Sequence, residues 1–225
     1  MTNRLYQLSY LRLGDVPTDI DEGILYCDPL TSLVAYPSFE QCMIKALPRF
    51  AGDGLHMAIG DVDGLREYVS ERNSTDPASF GHLAGNACMQ TIGRLTNGWA
   101  TAELSDIAFK VCGTFGGDEV IVGASGLSHE LFTDKIHELC RTIKVSSPRP
   151  CSFALATLED RTVTRDGAAD AYRHFVSMVD AQLFQEKEQA RRDGDRLDGA
   201  VTDLGIVNLL DQERAGHLAR MGDRR

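Results

Sequence analysis

Two short acidic stretches carry the first chemical signal. Asp61-Val62-Asp63 closes one apolar run, and Asp118-Glu119 lies between two others. Carboxylates brought together from the ends of adjacent strands make a hard oxygen site. Mg2+ takes such a site with few protein ligands plus phosphate oxygens. Two such ions can activate an attacking hydroxyl and stabilise a leaving pyrophosphate. Gly116-Gly117 precedes the second acidic pair, and paired glycines permit positive φ, a tight turn and close approach of backbone to a ligand. Lys187 and Arg191 stand four apart, hence on one helix face, and suit phosphate oxygens. Each feature alone has a plainer reading: a solvated loop acid, an ordinary hairpin turn, a basic face balanced by Glu186 and Glu188.

The elements that must position these groups follow from periodicity. Residues 1–27 form a mixed leader with turn signals at Gly14-Asp15 and Pro17, expected to add a strand or short helix. Pro37 opens a predicted helix with Phe39, Met43 and Leu47 on one face. Residues 55–61 read as a buried strand, with a helical start at 65–69 and a polar loop over 71–80. Helix is predicted over 81–95, with Trp99 in a loop beyond it. The runs 107–112 and 120–124 form a hairpin with acids at its tip. Helix over 131–143, strand over 151–158 and a long helix over 168–192 complete the order. The tail 193–225 holds one apolar patch, 204–210, read as an interface or as a packed or frayed helix. Elements alternating in this way predict an α/β (α+β) fold, a sheet covered by helices.

Composition narrows the partners. The 225 residues carry a formal net charge of −10, which argues against broad binding to a nucleic-acid backbone while allowing a local phosphate pocket. No apolar run reaches the roughly 18 residues of a membrane span, and the N-terminus lacks the pattern of a secretory signal. The six cysteines form no C-x-x-C pair, so reduced, buried thiols and a cytoplasmic location are expected.

Taken together and in order, the motifs resemble those of the GGDEF family of diguanylate cyclases. Asp28-Pro29-Leu30-Thr31-Ser32-Leu33 stands where the family has D-x-L-T-G-L. Asp61-Val62-Asp63-Gly64-Leu65-Arg66 matches D-x-D-x-F-K, and Gly81-His82-Leu83-Ala84-Gly85-Asn86 matches G-H-x-x-G-D. The signature itself appears as Gly116-Gly117-Asp118-Glu119-Val120. Residues 152–156 echo a late S-x-G-x-A strand, and residues 182–191 echo the closing A-L-Y-x-A-K-x-x-G-R. Six blocks cover residues 28–192, which the resemblance marks as a GGDEF-like catalytic domain between the leader 1–27 and a C-terminal extension 193–225.

The resemblance implies a palm-type, ferredoxin-like sheet wrapped by helices and an Mg2+-dependent nucleotidyltransferase. Two nucleoside triphosphates, GTP or ATP, would be joined into a cyclic dinucleotide with release of pyrophosphate. Asp61, Val62 and Glu119 would hold two Mg2+ ions, with Mn2+ as a substitute. Asp118 and Arg66 would join Asp61 and Glu119 in catalysis. Asp63, Gly64, Leu65, Lys187 and Arg191 would bind the triphosphate. Val69, Asn86, Gly116 and Gly117 would border the base. A homodimer would bring two bound nucleotides face to face.

Departures from the family pattern fall on the base. The family's guanine-reading Asn and Asp positions hold Val69 and Asn86 here. An ionised Asp only accepts hydrogen bonds, whereas Asn offers one donor and one acceptor. That pair suits adenine's N1 and N6–H and equally guanine's N1–H and O6, so altered or relaxed base choice is expected. Residues 71–80 stand as an insertion relative to the family pattern, and Asn73 within them is an alternative reader. The inhibitory R-x-x-D of many relatives is replaced by Ile107 and Lys110, and the Arg before the signature by Thr114, so no product-inhibition site is expected. The leader is too short for a receiver or PAS-like module, which leaves expression, dimerisation or a separate regulatory protein as controls. The alternatives are a nucleotide- or protein-binding module that has lost activity, and a single-nucleotide cyclase or hydrolase on the same fold.

Overall fold

The computed structural model describes residues 4–7 and 24–209. The strands are β1 (Arg4–Gln7), β2 (Ile24–Cys27), β3 (Val34–Ala35), β4 (Leu55–Val62), β5 (Phe109–Gly116), β6 (Glu119–Ser125), β7 (Cys151–Leu158) and β8 (Val201–Val207). The helices are α1 (Tyr36–Phe50), α2 (Leu65–Thr75), α3 (Leu83–Glu103), α4 (His129–Ser146) and α5 (Ala168–Arg192). The strands form one sheet in the order β1-β2-β3-β5-β6-β4-β7-β8. Its centre is antiparallel: β4 lies between β6 and β7, and β5 pairs with β6. The α/β reading holds.

Strand alternation divides the core into two layers. Successive side chains of a strand point to opposite faces. Leu55, Met57 and Ile59 of β4 join Ile121, Ala154 and Ala156 beneath α1 and α5. Ala58 and Val62 join Val120, Val122 and Leu155 beneath α3 and α4. Burying apolar area on both faces is the main stabilising term, at about 25 cal/mol per Å2. The same alternation assigns Asp61 and Asp63 to the α1/α5 layer, along with Glu119 of β6 and Ser152 of β7. Apolar packing along the strands therefore selects which face the acids at their ends will share.

Several elements depart from the sequence expectations. Helix α2 runs to Thr75, through half of the expected 71–80 loop, although none of its residues is buried. Its pattern is polar all round, so periodicity offered no stripe to detect. Helix α3 continues past residue 95 and buries Trp99 at 6% exposure, so Trp99 is a core residue and not a loop residue. Residues 201–207 of the tail are strand, paired parallel to β7 with a register shift between Leu155 and Thr157. That strand takes up most of the 204–210 patch read as interface or helix; residue 210 and the rest of the tail lie outside the described residues, as do leader residues 8–23. The six cysteines are free, and five are buried. Burial pushes the Cys112 thiol up to about 12 and Cys140 to about 11, which keeps them protonated and inert.

Candidate functional site

Asp61 and Glu119 are direct register partners across the antiparallel β4–β6 ladder, a pairing that sets Cα atoms about 4.5–5.5 Å apart. On the other side of β4, Asp61 registers with Ser152 of β7. Three polar side chains thus sit side by side at one end of the sheet, on the face covered by α5. The hairpin tip is shaped by glycine. Gly116 and Gly117 hold φ of 102° and 71°, and a Cβ on either would meet nothing within 4 Å. The requirement there is backbone conformation, not crowding. Thr114 closes the tip, its hydroxyl donating to the Glu119 carbonyl (2.8 Å) and accepting from Gly116 N–H (3.0 Å).

Lys187 is delivered by the buried stripe of α5. Ala168, Tyr172, Phe175, Val179 and Leu183 are buried in steps of three and four. One further step reaches position 187, where the helix passes over the strand ends. The Lys187 ammonium pairs with Asp61 Oδ1 and lies 3.5 Å from Asp63 Oδ1. Arg191, one turn on, is exposed and engages Glu188. Asp63 is nearly sealed, at 5% exposure. Its Oδ2 accepts from the Ser152 hydroxyl (2.6 Å) and from Gly199 N–H (3.0 Å). Ser152 Oγ in turn accepts from Ala200 N–H (3.0 Å).

Acids outnumber bases around Asp61 and Glu119. Burial pushes the Glu119 carboxyl up to about 7, reinforced by Asp61, Asp118 and Asp180 and opposed by Lys187. Burial also raises the Asp61 carboxyl, against the pull of Lys187, with Asp118 and Asp63 adding to the rise. Asp63 is raised by burial against its Ser152, Gly199 and Lys187 contacts. Raised carboxyls of this kind, with Asp61 and Asp63 lining a cleft and Glu119 beside it, mark a candidate functional site. The cleft measures about 570 Å3 and is lined by Asp61, Asp118, Lys187, Arg191 and residues 62–67, together with residues 194–197.

Among the described residues, no group of three or more His, Cys, Asp or Glu stands at metal-ligating geometry. The paired Asp61 and Glu119 nonetheless fit Mg2+. That ion takes one or two carboxylates and completes its shell with phosphate oxygens and water. The Lys187 ammonium against Asp61 and Asp63 shows that the acids already hold a positive charge.

Of the expected base-bordering residues, Gly116 and Gly117 stand at the hairpin tip, whereas Val69 and Asn86 lie on α2 and α3, on the opposite layer. Val69 of α2 packs on α3, its Cγ2 being 3.1 Å from where a Cβ on Gly85 would stand. Asn86 is exposed on the first turn of α3. The Asn73 amide is engaged locally, donating to the Gly81 carbonyl (2.9 Å) and accepting from the Ser79 hydroxyl (3.0 Å). Lys110 caps α3, donating to the Leu104 carbonyl (2.6 Å). Three residues near the site were not singled out in the sequence: Asp180, Arg149 and Arg196. Asp180 sits seven residues before Lys187, and that spacing was a usable signal. The two arginines lie in Pro- and Gly-rich connections with no periodicity to mark them.

No family model and no curated protein matches the chain. Solved structures do. The GGDEF domain of DgcB from Caulobacter crescentus, in complex with c-di-GMP, superposes with a TM-score of 0.56 at 15% identity, over 79% of this chain and 92% of that one. A microbial GGDEF domain solved for its interaction mode with cyclic di-GMP gives 0.55 at 22% identity, over 79% and 97%. The diguanylate cyclase SiaD from Pseudomonas aeruginosa, in complex with its activator SiaC, gives 0.52 at 18%, over 81% and 61%. The chain has the fold of these GGDEF domains.

Proposed function

We propose that this GGDEF-fold chain is a nucleotidyltransferase that joins two nucleoside triphosphates into a dinucleotide, cyclic when two subunits face each other. The observation that carries the reading is the register pairing of Asp61 with Glu119 at the edge of a cleft that Asp61, Asp118 and Lys187 line. Mg2+ held by Asp61, Glu119 and the Val62 carbonyl would supply charge neutralisation at the transferring phosphate. With so few protein ligands, the ion would arrive together with the polyphosphate. Lys187 would exchange its carboxylate partners for phosphate oxygens, while Arg66 and Arg191, both exposed at the rim, would hold the chain in line. Asp63 keeps Lys187 from folding away. Asp118 fixes the tip, its carbonyl accepting from Val62 N–H (3.0 Å).

Relaxed base choice, with ATP accepted, belongs to the same reading. Val69 is committed to packing on α3, and the Asn73 amide to its own loop. Asn86 remains with one donor and one acceptor, a pair that matches adenine and guanine alike. Gly116 and Gly117 would leave room for the nucleoside. A regulatory protein partner is part of the proposal. Among the described residues, no helix is long and apolar enough to cross a membrane.

The test is incubation of the full chain with Mg2+ and the four NTPs, singly and in pairs, with mass analysis of products. The reading expects a product holding two nucleosides, released pyrophosphate, and adenine incorporation. Asp61→Ala should abolish product while keeping the wild-type melt. Products with one nucleoside would favour a mononucleotide cyclase or hydrolase. A second reading, a binding module without turnover, draws on the Lys187–Asp61 pair, which closes part of the cleft. It is favoured if nucleotide binds without product.

A further inference from the structure

The cleft has a second cationic end that the reading above leaves unused. Gly64 follows the acids with φ of 65°, so only a residue without a side chain sits there unstrained. A Cβ on Gly64 would lie 2.6 Å from Arg149 Nη2 and 3.6 Å from Arg196 Nη1. Two guanidinium groups therefore converge on the open side of this one residue. Arg149 is fixed, its Nε donating to the Asp63 carbonyl at 2.8 Å. Arg196 Nη2 lies 3.4 Å from Glu67 Oε1, and both of those side chains are more than half exposed. An ion pair in that setting is worth little and is readily exchanged for a better anion.

Arg196 is also held in place by its backbone. Asp195 N–H donates to the Ala190 carbonyl, which ties the segment to the end of α5 (2.8 Å). On the far side, Gly199 N–H meets Asp63 and Ala200 N–H meets Ser152. Lys144 Nζ grips both the carbonyl (2.7 Å) and the carboxylate (2.8 Å) of Asp198. Only a few residues span these anchors, so Arg196 cannot swing far from the cleft it lines. Buried Asp63 thus organises both ends of the site: it faces Lys187 with one oxygen and secures the Arg196 segment with the other.

We propose that Arg196, backed by Arg149, is a binding residue for the distal phosphate of a polyphosphate chain, and so makes this cleft select triphosphates over diphosphates. The inference rests on the reading of the cleft as a nucleotide site. The reacting phosphate belongs at the acidic end, beside Asp61 and Glu119. A chain leading from there along residues 62–65 ends at the two arginines. Guanidinium groups bind phosphate through paired, charge-assisted hydrogen bonds. Glu67 holds Arg196 until the phosphate displaces it.

Titration calorimetry on the full chain with Mg2+ tests this, using inorganic triphosphate and pyrophosphate beside GTP, ATP and their diphosphates. Arg196→Ala is expected to weaken triphosphate binding about tenfold and to leave pyrophosphate within about twofold, with Arg196→Lys in between. Glu67→Gln is expected to tighten triphosphate binding, because it frees Arg196. The exposed position of Arg196 predicts an unchanged melt for each variant. Equal weakening of both inorganic ligands by Arg196→Ala, or weakening of neither, overturns the proposal. A chain that makes dinucleotide but shows no change of preference in the variant sinks the clamp alone. A chain that makes no dinucleotide but loses triphosphate selectively in the variant sinks the cyclase reading alone. A wild type that binds neither inorganic ligand sinks both.

Discussion

Ser32 holds a φ of 60° in the turn that follows β2. The turn is built around Asp28, whose Oδ1 accepts from Thr31 N–H (2.7 Å) and from the Thr31 hydroxyl (2.8 Å), while its backbone bonds Ser32 and Leu33. The left-handed region costs a residue with a Cβ about 1–2 kcal/mol, and Ser32 is exposed, with no compensating packing to lose. Glycine, which the resembling motif carries here, adopts that region freely but loses more chain entropy on folding. Ser32→Gly is therefore expected to stabilise the chain by about 0.5–1 kcal/mol in urea denaturation. The sequence alone marked the glycine-to-serine change but not its cost, because φ is a property of the closed turn. The same limit applied to Asn73: its type suggested a base reader, and only the folded loop shows the amide engaged with Gly81 and Ser79.

At the scale of the element, two of the three glycines of α3, Gly93 and Gly98, have opposite roles. A Cβ on Gly93 would collide with the Thr31 carbonyl and its neighbouring backbone, so the helix lies directly on the 28–33 turn. A Cβ on Gly98 would meet nothing within 4 Å. Gly93→Ala must push α3 away from the turn and is expected to destabilise by about 1–3 kcal/mol. Gly98→Ala removes a flexible residue from a helix interior and is expected to stabilise by about 0.5–1 kcal/mol. Denaturation midpoints of the two variants, moving in opposite directions, would test the packing of this helix. Equal shifts would show that α3 sits elsewhere. Nothing in the sequence distinguishes the two positions, since both are glycines in one helical run.

Across the whole molecule, the sheet has a polar cluster at each end. Opposite the acids, His56 Nε2 faces the Leu127 carbonyl (3.0 Å) and Nδ1 meets Thr157 Oγ1 (2.6 Å); His129 bridges Thr157 (2.8 Å) to Asp203 (2.9 Å) on β8. A carbonyl only accepts, so Nε2 of His56 carries the hydrogen, and its bare Nδ1 takes the Thr157 hydroxyl. Burial lowers His56 to about 4 from 6.5, opposed by the Leu127 carbonyl and aided by His129. Below pH 6.5 the unfolded chain binds a proton that the folded chain refuses. Stability from this group is therefore complete above pH 6.5 and falls as pH drops toward 4. At pH 5 the loss is about 2 kcal/mol. The raised carboxyls of Asp61, Asp63 and Glu119 act in the opposite direction over acid pH. The contrast of wild type with His56→Gln isolates the histidine: the difference in urea stability between pH 7.5 and pH 5 should shift by about 2 kcal/mol. An unchanged difference would mean that His56 is already charged in the fold.

Where burial is periodic, the chain announces its own elements. The stripes of α1, α4 and α5 and the apolar runs of β4, β6 and β7 were readable, because each satisfies a local repeat that a single segment contains. The acids of the site were readable too, since they interrupt those runs at their ends. Tertiary structure alone decided that α2 extends without a buried face and that Trp99 is buried in α3. It also decided that residues 201–207 become an edge strand, with half-buried side chains and a register shift. The approach of Arg149 and Arg196 to Gly64 belongs to the same class. These features depend on contacts between distant segments, and no local pattern of residues encodes which partner a polar or half-buried stretch will meet.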